Sequence, residues 1–198
     1  MKTRIRGSDS CHNHPVRIET TRLADVLLLV NEPHRDDRGF FTRTFDAQVF
    51  DEHVGAGKSA TFVQDSQSRS AQGVLRGMHG RSGRGEAKLV RCARGAVHDV
   101  LVDIRRQSPT FGMQEAFLLD DSAFRHLYIP PGFLHGFQAL TPLADVCYRI
   151  DRPHDSAEDI AVNPHDADLA IAWPQQVSNI SARDAGAGSW RELLDRLD

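Results

Sequence analysis

Cysteine is scarce in this sequence of 198 residues. Cys11, Cys92 and Cys147 are odd in number and show no CxxC spacing. Small secreted domains are instead stabilised by dense, paired sets of cysteines. The pattern therefore predicts a protein of the reducing cytoplasm without a disulfide framework.

Long apolar runs and a strong excess of one charge are also missing. The longest apolar clusters, such as Ala24–Val30 with its internal Asp25, have the length of a strand and not of a membrane-spanning helix. The formal net charge of -3 gives no support for a nucleic-acid surface. We therefore expect neither a membrane nor a nucleic acid as a partner.

The chain length fits a single domain over residues 1–198. Residues 1–15 are polar and basic without an apolar centre, which predicts a flexible tail and argues against a signal peptide. Residues 175–198 are expected to form a C-terminal extension with a short helix. There Ser189 and Glu192 have the spacing of a capping box, which predicts a helix to Leu197.

Short segments of alternating polarity dominate the rest of the sequence. Ala96–Arg105 is the clearest, with Val97, Asp99, Leu101 and Asp103 on one face and His98, Val100, Val102 and Ile104 on the other. Many short strands separated by regular turn signals predict an all-β sandwich or barrel. The predicted strands are Leu23–Val30, Phe40–Phe45, Thr61–Asp65, Lys88–Ala93, Ala96–Arg105, Met113–Leu119, His126–Ile129, Gly136–Leu140 and Asp145–Ile150.

One helix is predicted in the first half of the chain. Asp46 can cap it, Val54 ends it and Gly55 stops it. From Asp151 onward the sequence is polar and rich in Pro and Asp, so this part is expected to wrap the barrel as loop.

The segment Gln64–Val90 gathers side chains suited to acid–base chemistry. Arg76 and His79 are three residues apart, and Lys88 follows at the start of an apolar alternation. A possible base, a guanidinium and an ammonium predict a site for an anionic substrate. His135, like His79, lies in a segment punctuated by glycines, where a ligand can come close. The alternative is that both histidines are ordinary surface or core residues.

Lys88 and Tyr148 lie in predicted strands among apolar neighbours. An inward-facing lysine or tyrosine needs a partner or a function. The alternative is a lysine that extends to solvent and a core tyrosine whose hydroxyl is bonded to a carbonyl.

The segment Pro130–His135 resembles the second motif of the cupin family, whose metal-binding members carry a histidine there. Their first motif needs a His-x-His pair and a following Glu, but here His79 is followed by Gly80 and Arg81. A guanidinium cannot ligate a metal and would repel it. We therefore expect a cupin-type jelly-roll β-barrel without a metal; a metal-dependent cupin oxygenase or isomerase is the alternative.

Several segments together closely resemble the nucleotide-sugar 3,5-epimerases typified by dTDP-4-dehydrorhamnose 3,5-epimerase, a family of the cupin superfamily. They follow the family's order over most of the chain. The segments are Asp36–Phe41, Phe62–His79, Ala87–Gly112, Ile129–Leu140, Val146–Ile150, Asp166–Pro174 and Ser181–Ala185.

The resemblance implies an all-β cupin jelly roll with a few short peripheral helices, a homodimer, and neither metal nor cofactor. It implies a nucleoside-diphosphate 4-keto-6-deoxyhexose as substrate, in the first place dTDP-4-dehydro-6-deoxyglucose converted to dTDP-4-dehydrorhamnose. The C4 ketone acidifies the protons at C3 and C5. A base removes one proton, an enolate forms, and an acid returns a proton to the opposite face. The expected role is deoxysugar or rhamnose biosynthesis.

Roles are carried over by position from the resemblance. His79 is the implied base and Asp184 its carboxylate partner. Tyr148 is the implied acid, and Lys88 would stabilise the enolate oxygen. The implied substrate contacts are Arg76, His135, Gln64, Asp65, Ser66, Arg38, Arg43, Asp159 and Arg183.

Several positions depart from the family's pattern. Arg43 replaces a glutamate, Ser66 an asparagine, Gly80-Arg81 a Tyr-Gln pair, and His154 a tyrosine; Asp159 matches a glutamate, with adjacent Glu158 leaving the register open by one. The reacting set is therefore expected to be intact while the surrounding substrate contacts are changed. Alternatives are an epimerase that inverts only C3 or C5, and a non-catalytic sugar-nucleotide-binding cupin.

Overall fold

The computed structural model describes residues 16–197, so the predicted tail at residues 1–15 lies outside the described residues. Within this part of the chain, no helix is long and apolar enough to cross a membrane. The strands are β1 (Val16–Thr20), β2 (Leu27–Asn31), β3 (His34–Asp36), β4 (Gly39–Phe41), β5 (Gln64–Ala71), β6 (Val74–Arg81), β7 (Lys88–Arg94), β8 (Ala96–Asp103), β9 (Gln114–Asp120), β10 (Arg125–Ile129), β11 (Phe133–Ala139), β12 (Leu143–Ile150), β13 (Asp159–Ala161) and β14 (Asn179–Ile180). The α-helices are α1 (Ala47–Val54), α2 (Ala182–Ala185) and α3 (Trp190–Arg196), with 3₁₀ turns at Ser59–Thr61 and Ser156–Glu158.

Two sheets carry the fold. The first has the order β1-β2-β10-β7-β12-β5, and the second has β13-β6-β11-β8-β9 with β14 added in parallel to β6. Apart from β14, the strand pairs are antiparallel, and β3 and β4 form a separate hairpin. The order is far from the chain order, so strands distant in sequence become neighbours. The predicted all-β fold with short peripheral helices is confirmed.

The main core lies between the two sheets and contains Val90, Leu127 and Val146 from the first sheet. Strand β8 contributes to two cores. Val97 and Leu101 belong to the core between the sheets, while Val100 and Val102 belong to a second core on the outer face of their sheet. The two faces predicted for Ala96–Arg105 are therefore confirmed, and both are buried.

The C-terminal part of the chain covers the outer face of the second sheet. Leu169 and Leu193 are buried there, and Trp173 and Trp190 pack against the same core. The wrapping predicted for this part is confirmed, although it also adds the short strands β13 and β14. The capping box is present too, because the Ser189 Oγ accepts from the Glu192 amide and the Glu192 side chain accepts from the Ser189 amide.

Helix α1 also follows its prediction. The Asp46 side chain accepts from two backbone amides at the start of the helix, and Gly55 ends it with φ +138. The helix places Phe50 on the outer face of the first sheet, where it contacts Tyr128 and Phe62.

All three strands predicted before Ser66 were wrong in their bounds, and of the later ones the strand predicted for Gly136–Leu140 begins earlier, at Phe133. The strand predicted from Leu23 begins at Leu27, because Leu23 and Val26 close a turn around Asp25, which has φ 65. The strand predicted for Phe40–Phe45 contains only residues 39–41, since Asp46 starts a helix soon afterwards. The segment predicted as Thr61–Asp65 instead begins with a 3₁₀ turn, and β5 continues to Ala71.

Strand β6 was not predicted because its glycines weaken the strand pattern. The glycines allow β6 and β11 to pack closely, because a Cβ built on Gly77 would lie only 2.5 Å from the Cα of Gly136 on β11. The two strands thus approach closely at this point, and the same approach sets His79 opposite His135 in the sheet.

Candidate active site

A cavity of about 670 Å³ receives side chains from both sheets. Strands β5, β7 and β12 contribute from the first sheet, and β6 and β11 from the second. The C-terminal segment with β14 and α2 closes another part of the wall. Of the residues predicted from the sequence, the lining includes His79, Tyr148, Asp184, Lys88, Arg76, His135, Gln64, Ser66 and Arg183.

His79 and Asp184 form a hydrogen-bonded pair at this cavity. The Nε2 of His79 lies 2.7 Å from Oδ1 of Asp184, whose other oxygen accepts from the Gly77 amide at 3.2 Å. Ser181 caps the four-residue helix α2 and thereby orients the buried Asp184. If Nε2 donates to the carboxylate, Nδ1 is the ring nitrogen left to accept a proton.

The electrostatics keep His79 in its neutral form. Desolvation lowers the pKa of His79 below its usual range, and the positive charges of Lys88 and Arg183 lower it further. Asp184 opposes these effects because its carboxylate stabilises the imidazolium. A neutral imidazole with an aligned carboxylate partner can act as a general base.

Tyr148 enters the same cavity from the opposite sheet. Its hydroxyl lies 3.0 Å from the Oγ of Ser68 on the neighbouring strand β5. Burial raises the pKa of Tyr148 well above its ordinary value, and the Ser68 hydrogen bond opposes the shift. The phenol is therefore protonated at neutral pH and can act as a proton donor.

Lys88 begins β7 and is nearly buried. Its Nζ lies 3.0 Å from Oε1 of Glu86, and 12% of the lysine side chain is exposed. Glu86 also lines the cavity. The alternative of a lysine that extends to solvent is wrong, because the ammonium is held at the cavity by a buried carboxylate.

His135 has an aspartate of its own. Its Nε2 lies 2.8 Å from Oδ2 of Asp99, which is fully buried on β8. The ring also contacts Tyr148 edge-on, with centroids 6.3 Å apart. The cavity thus contains two histidines in direct register on β6 and β11, each bonded to a different carboxylate.

The profile of the dTDP-4-dehydrorhamnose 3,5-epimerase family matches residues 20–192. The chain belongs to this family. The relatives include the dTDP-4-dehydrorhamnose 3,5-epimerase of Salmonella typhimurium, 41% identical over 178 residues that span 89% of this chain and 94% of the relative. The dTDP-4-dehydrorhamnose 3-epimerase of Streptomyces niveus is 37% identical over 181 residues, which span 91% of this chain and 86% of the relative.

The solved structures agree with the family. That of dTDP-6-deoxy-D-glucose-3,5-epimerase from Legionella pneumophila, in complex with dTDP-4-keto-L-rhamnose, superposes with a TM-score of 0.86 at 36% identity. The likeness covers 92% of this chain and 97% of the other. The predicted cupin-type jelly roll of the epimerase family is confirmed.

Four residues predicted as substrate contacts of this epimerase do not line the cavity. Asp65 faces the other side of β5 from Gln64 and Ser66, because successive side chains of a strand alternate, and it pairs with Arg149. Arg38 lies in the exposed hairpin and pairs with Asp36.

The other two have partners elsewhere. Arg43 pairs with Asp46 at the start of α1. Asp159 lies just behind the lining, 2.6 Å from Arg183 and 3.6 Å from Arg81. Its neighbour Glu158 pairs with Arg152 instead, so it is Asp159 that is directed towards the cavity residues.

Three residues that contact the predicted site residues were not predicted from the sequence: Ser68, Glu86 and Asp99. Asp99 could have been noticed, because it interrupts an apolar face of β8 between Val97 and Leu101. No comparable signal marks the other two. In residues 16–197 no group of three or more His, Cys, Asp or Glu side chains is arranged to hold a metal ion.

Proposed function

We propose that this epimerase-family protein inverts C3, C5 or both in a dTDP-4-keto-6-deoxyhexose. The substrate we propose first is dTDP-4-dehydro-6-deoxyglucose, and the product is dTDP-4-dehydrorhamnose. The observation that carries the proposal is the placement of a neutral histidine–aspartate pair and a protonated tyrosine on facing sheets of one cavity. Inversion of a carbon requires a base and an acid on opposite faces, and this arrangement supplies both.

In the proposed mechanism, His79 takes the proton next to the ketone. The C–H electrons move into the C4 carbonyl, whose oxygen becomes an enolate, and Asp184 stabilises the imidazolium that forms. Lys88 supplies a fixed positive charge for the enolate oxygen. The enolate then collapses and takes a proton from Tyr148 on the opposite face.

The tyrosine must carry a negative charge briefly in this scheme. Ser68 can hydrogen-bond the phenolate, and the positive charge of Arg76 also favours it. Proton exchange with solvent then restores Tyr148 and His79 to their starting forms. We propose Arg76, His135, Gln64, Ser66 and Arg183 as contacts of the sugar nucleotide, since they line the same cavity.

An epimerase that inverts one carbon is the second candidate. The specific observation in its favour is that Arg81 and His154 line the cavity at positions where the family pattern has other residues. The similarity to a 3-epimerase at 37% identity is consistent with this candidate. A non-catalytic sugar-nucleotide-binding cupin is disfavoured, because binding alone needs neither a base nor an opposed acid.

The test is proton exchange in heavy water. Purified protein is incubated with dTDP-4-keto-6-deoxyglucose, and deuterium at C3 and C5 is followed by NMR. We expect incorporation at both carbons with the rhamno product, or at one carbon for the second candidate. Binding without any incorporation would contradict catalysis on this sugar.

Three further features of the chain stay predictions: the homodimer, the cytoplasmic location and the single domain over residues 1–198. The homodimer can be checked by sedimentation, in which a mass equal to one chain would contradict it. The hairpin of β3 and β4 is a candidate contact, because Phe40 and Phe41 are 56% and 59% exposed there.

A further inference from the structure

Arg81 is a buried guanidinium for which the proposed reaction has no task. Its side chain is 6% exposed and lines the cavity. The Nε donates to Oε2 of Glu86 at 2.8 Å, one terminal nitrogen donates to the carbonyl of Asp155, and the other to Nδ1 of His154. A buried charge is stable only when it is paired and hydrogen-bonded, and these contacts therefore fix the position of the guanidinium.

Glu86 connects Arg81 to Lys88. Its Oε1 lies 3.0 Å from the ammonium of Lys88, while its Oε2 binds Arg81. One carboxylate therefore serves two cations, while Arg81 also lies 3.6 Å from Asp159, whose closer partner is Arg183. With a neutral side chain at position 81, Glu86 would pair with Lys88 alone, and its negative charge would cancel more of the positive charge of the ammonium. The side chains of Arg81, Glu86 and Lys88 are at most 12% exposed, so solvent screens this difference only weakly.

Arg81 also determines the form of His154. A guanidinium has donors and no acceptor, so the Nδ1 of His154 must accept and the proton must lie on Nε2. The cavity wall therefore offers an imidazole N–H at the position where the family pattern has a tyrosine hydroxyl.

We propose that Arg81 is a positioning residue that acts through Lys88: it shares Glu86, holds the ammonium in place and preserves its positive charge toward the enolate. This inference rests on the proposed function, in which Lys88 faces the enolate oxygen. The charge matters most when the enolate forms, so Arg81 contributes to turnover more than to substrate binding.

The experiment is a double-mutant cycle of Arg81→Gln and Lys88→Ala, with kcat and KM measured on dTDP-4-keto-6-deoxyglucose by deuterium exchange. With Lys88 present, we expect Arg81→Gln to lower kcat about tenfold, equal to about 1.4 kcal/mol of barrier, and to change KM less than about threefold. Arg81→Lys keeps the charge and is expected to restore most of kcat. In the Lys88→Ala protein, Arg81→Gln is expected to lower kcat by less than about twofold, because the ammonium through which Arg81 acts is absent.

Arg152→Gln is the matched control. Arg152 is also largely buried, pairs with Glu158 at 2.6 Å and donates to the carbonyl of Gly85, but it does not line the cavity. It is expected to lower the unfolding temperature without changing kcat. If Arg81→Gln does not fold, Arg81→Met, which keeps an unbranched side chain and removes the charge, is put through the same cycle with Lys88→Ala.

The outcomes separate the two proposals. A wild-type protein without turnover would overturn the proposed function and this inference together. An active wild type in which Arg81→Gln costs the same factor with and without Lys88 would overturn only the role of Arg81. A loss carried by KM alone would overturn it as well.

Discussion

Replacement of Asp184 by asparagine tests the base most directly. The change keeps the size of the side chain but removes the charge that faces His79 at 2.7 Å. A hydrogen bond to a charged group contributes about 1.5–3 kcal/mol, so kcat is expected to fall by roughly one to two orders of magnitude. The buried site supports the upper part of this range, because the Asp184 side chain is only 5% exposed.

The pH dependence of kcat/KM provides a second test of His79 as the base, because the direction in which each variant shifts the profile can be predicted. The proposed base must be unprotonated, so kcat/KM falls as the pH drops through the pKa of His79. Asp184 raises that pKa, and its removal is expected to move the acid limb of the profile to lower pH. Arg183 lowers the same pKa, so Arg183→Gln is expected to move the acid limb to higher pH.

The assay is the pH profile of kcat/KM for wild type and both variants, followed by deuterium exchange. Asp145→Asn is the control, since Asp145 is also a buried aspartate and pairs with Arg69 outside the cavity. It is expected to change stability and leave the profile unchanged. Equal shifts in the same direction for Asp184→Asn and Arg183→Gln, or a wild-type rate in the former, would refute the assignment of His79 as base.

Three further predictions concern other parts of the molecule. Tyr148→Phe removes the proposed acid, so NMR is expected to show exchange that continues while the inverted product is strongly reduced; a normal product yield would mean that another group donates the proton. Lys88→Ala is expected to lower kcat by about 10²-fold with a smaller change in KM, because it removes charge stabilisation of the enolate; steady-state kinetics in which only KM changes would contradict this. Ser189→Ala removes the capping side chain of α3 and is expected to cost about 1 kcal/mol in urea unfolding while leaving kcat unchanged, and an unchanged midpoint would argue against the cap.

Local sequence patterns predicted the parts of the fold that depend on local physics. The alternation in β8 and the two helix caps at Asp46 and Ser189 were confirmed, since each depends on residues within one element. Strand β6 was missed because its glycines serve the approach to β11, a contact that is not visible in one segment.

The candidate site was predictable to the extent that its residues lie in recognisable motifs. His79, Lys88 and His135 stand out in the sequence, whereas Asp184 was found only through the family resemblance. Asp184 meets His79 because β14 pairs with β6 and α2 follows directly, a long-range arrangement without a local pattern. Glu86 was missed for a similar reason, since its role depends on two cations that flank it in space.

The His79–Asp184 pair joins a strand of the jelly roll to the C-terminal segment, so the base can be oriented only after that segment has been synthesised. Strands β5 to β12 are complete at Ile150, but the carboxylate that orients the base belongs to the C-terminal wrap. A ribosome therefore makes the strands of the jelly roll before it makes the carboxylate partner of the base. A nick between β13 and β14 would free the segment that carries Asp184, and with it Leu193 of the outer core. The orientation of the base and part of the core packing would therefore be lost together.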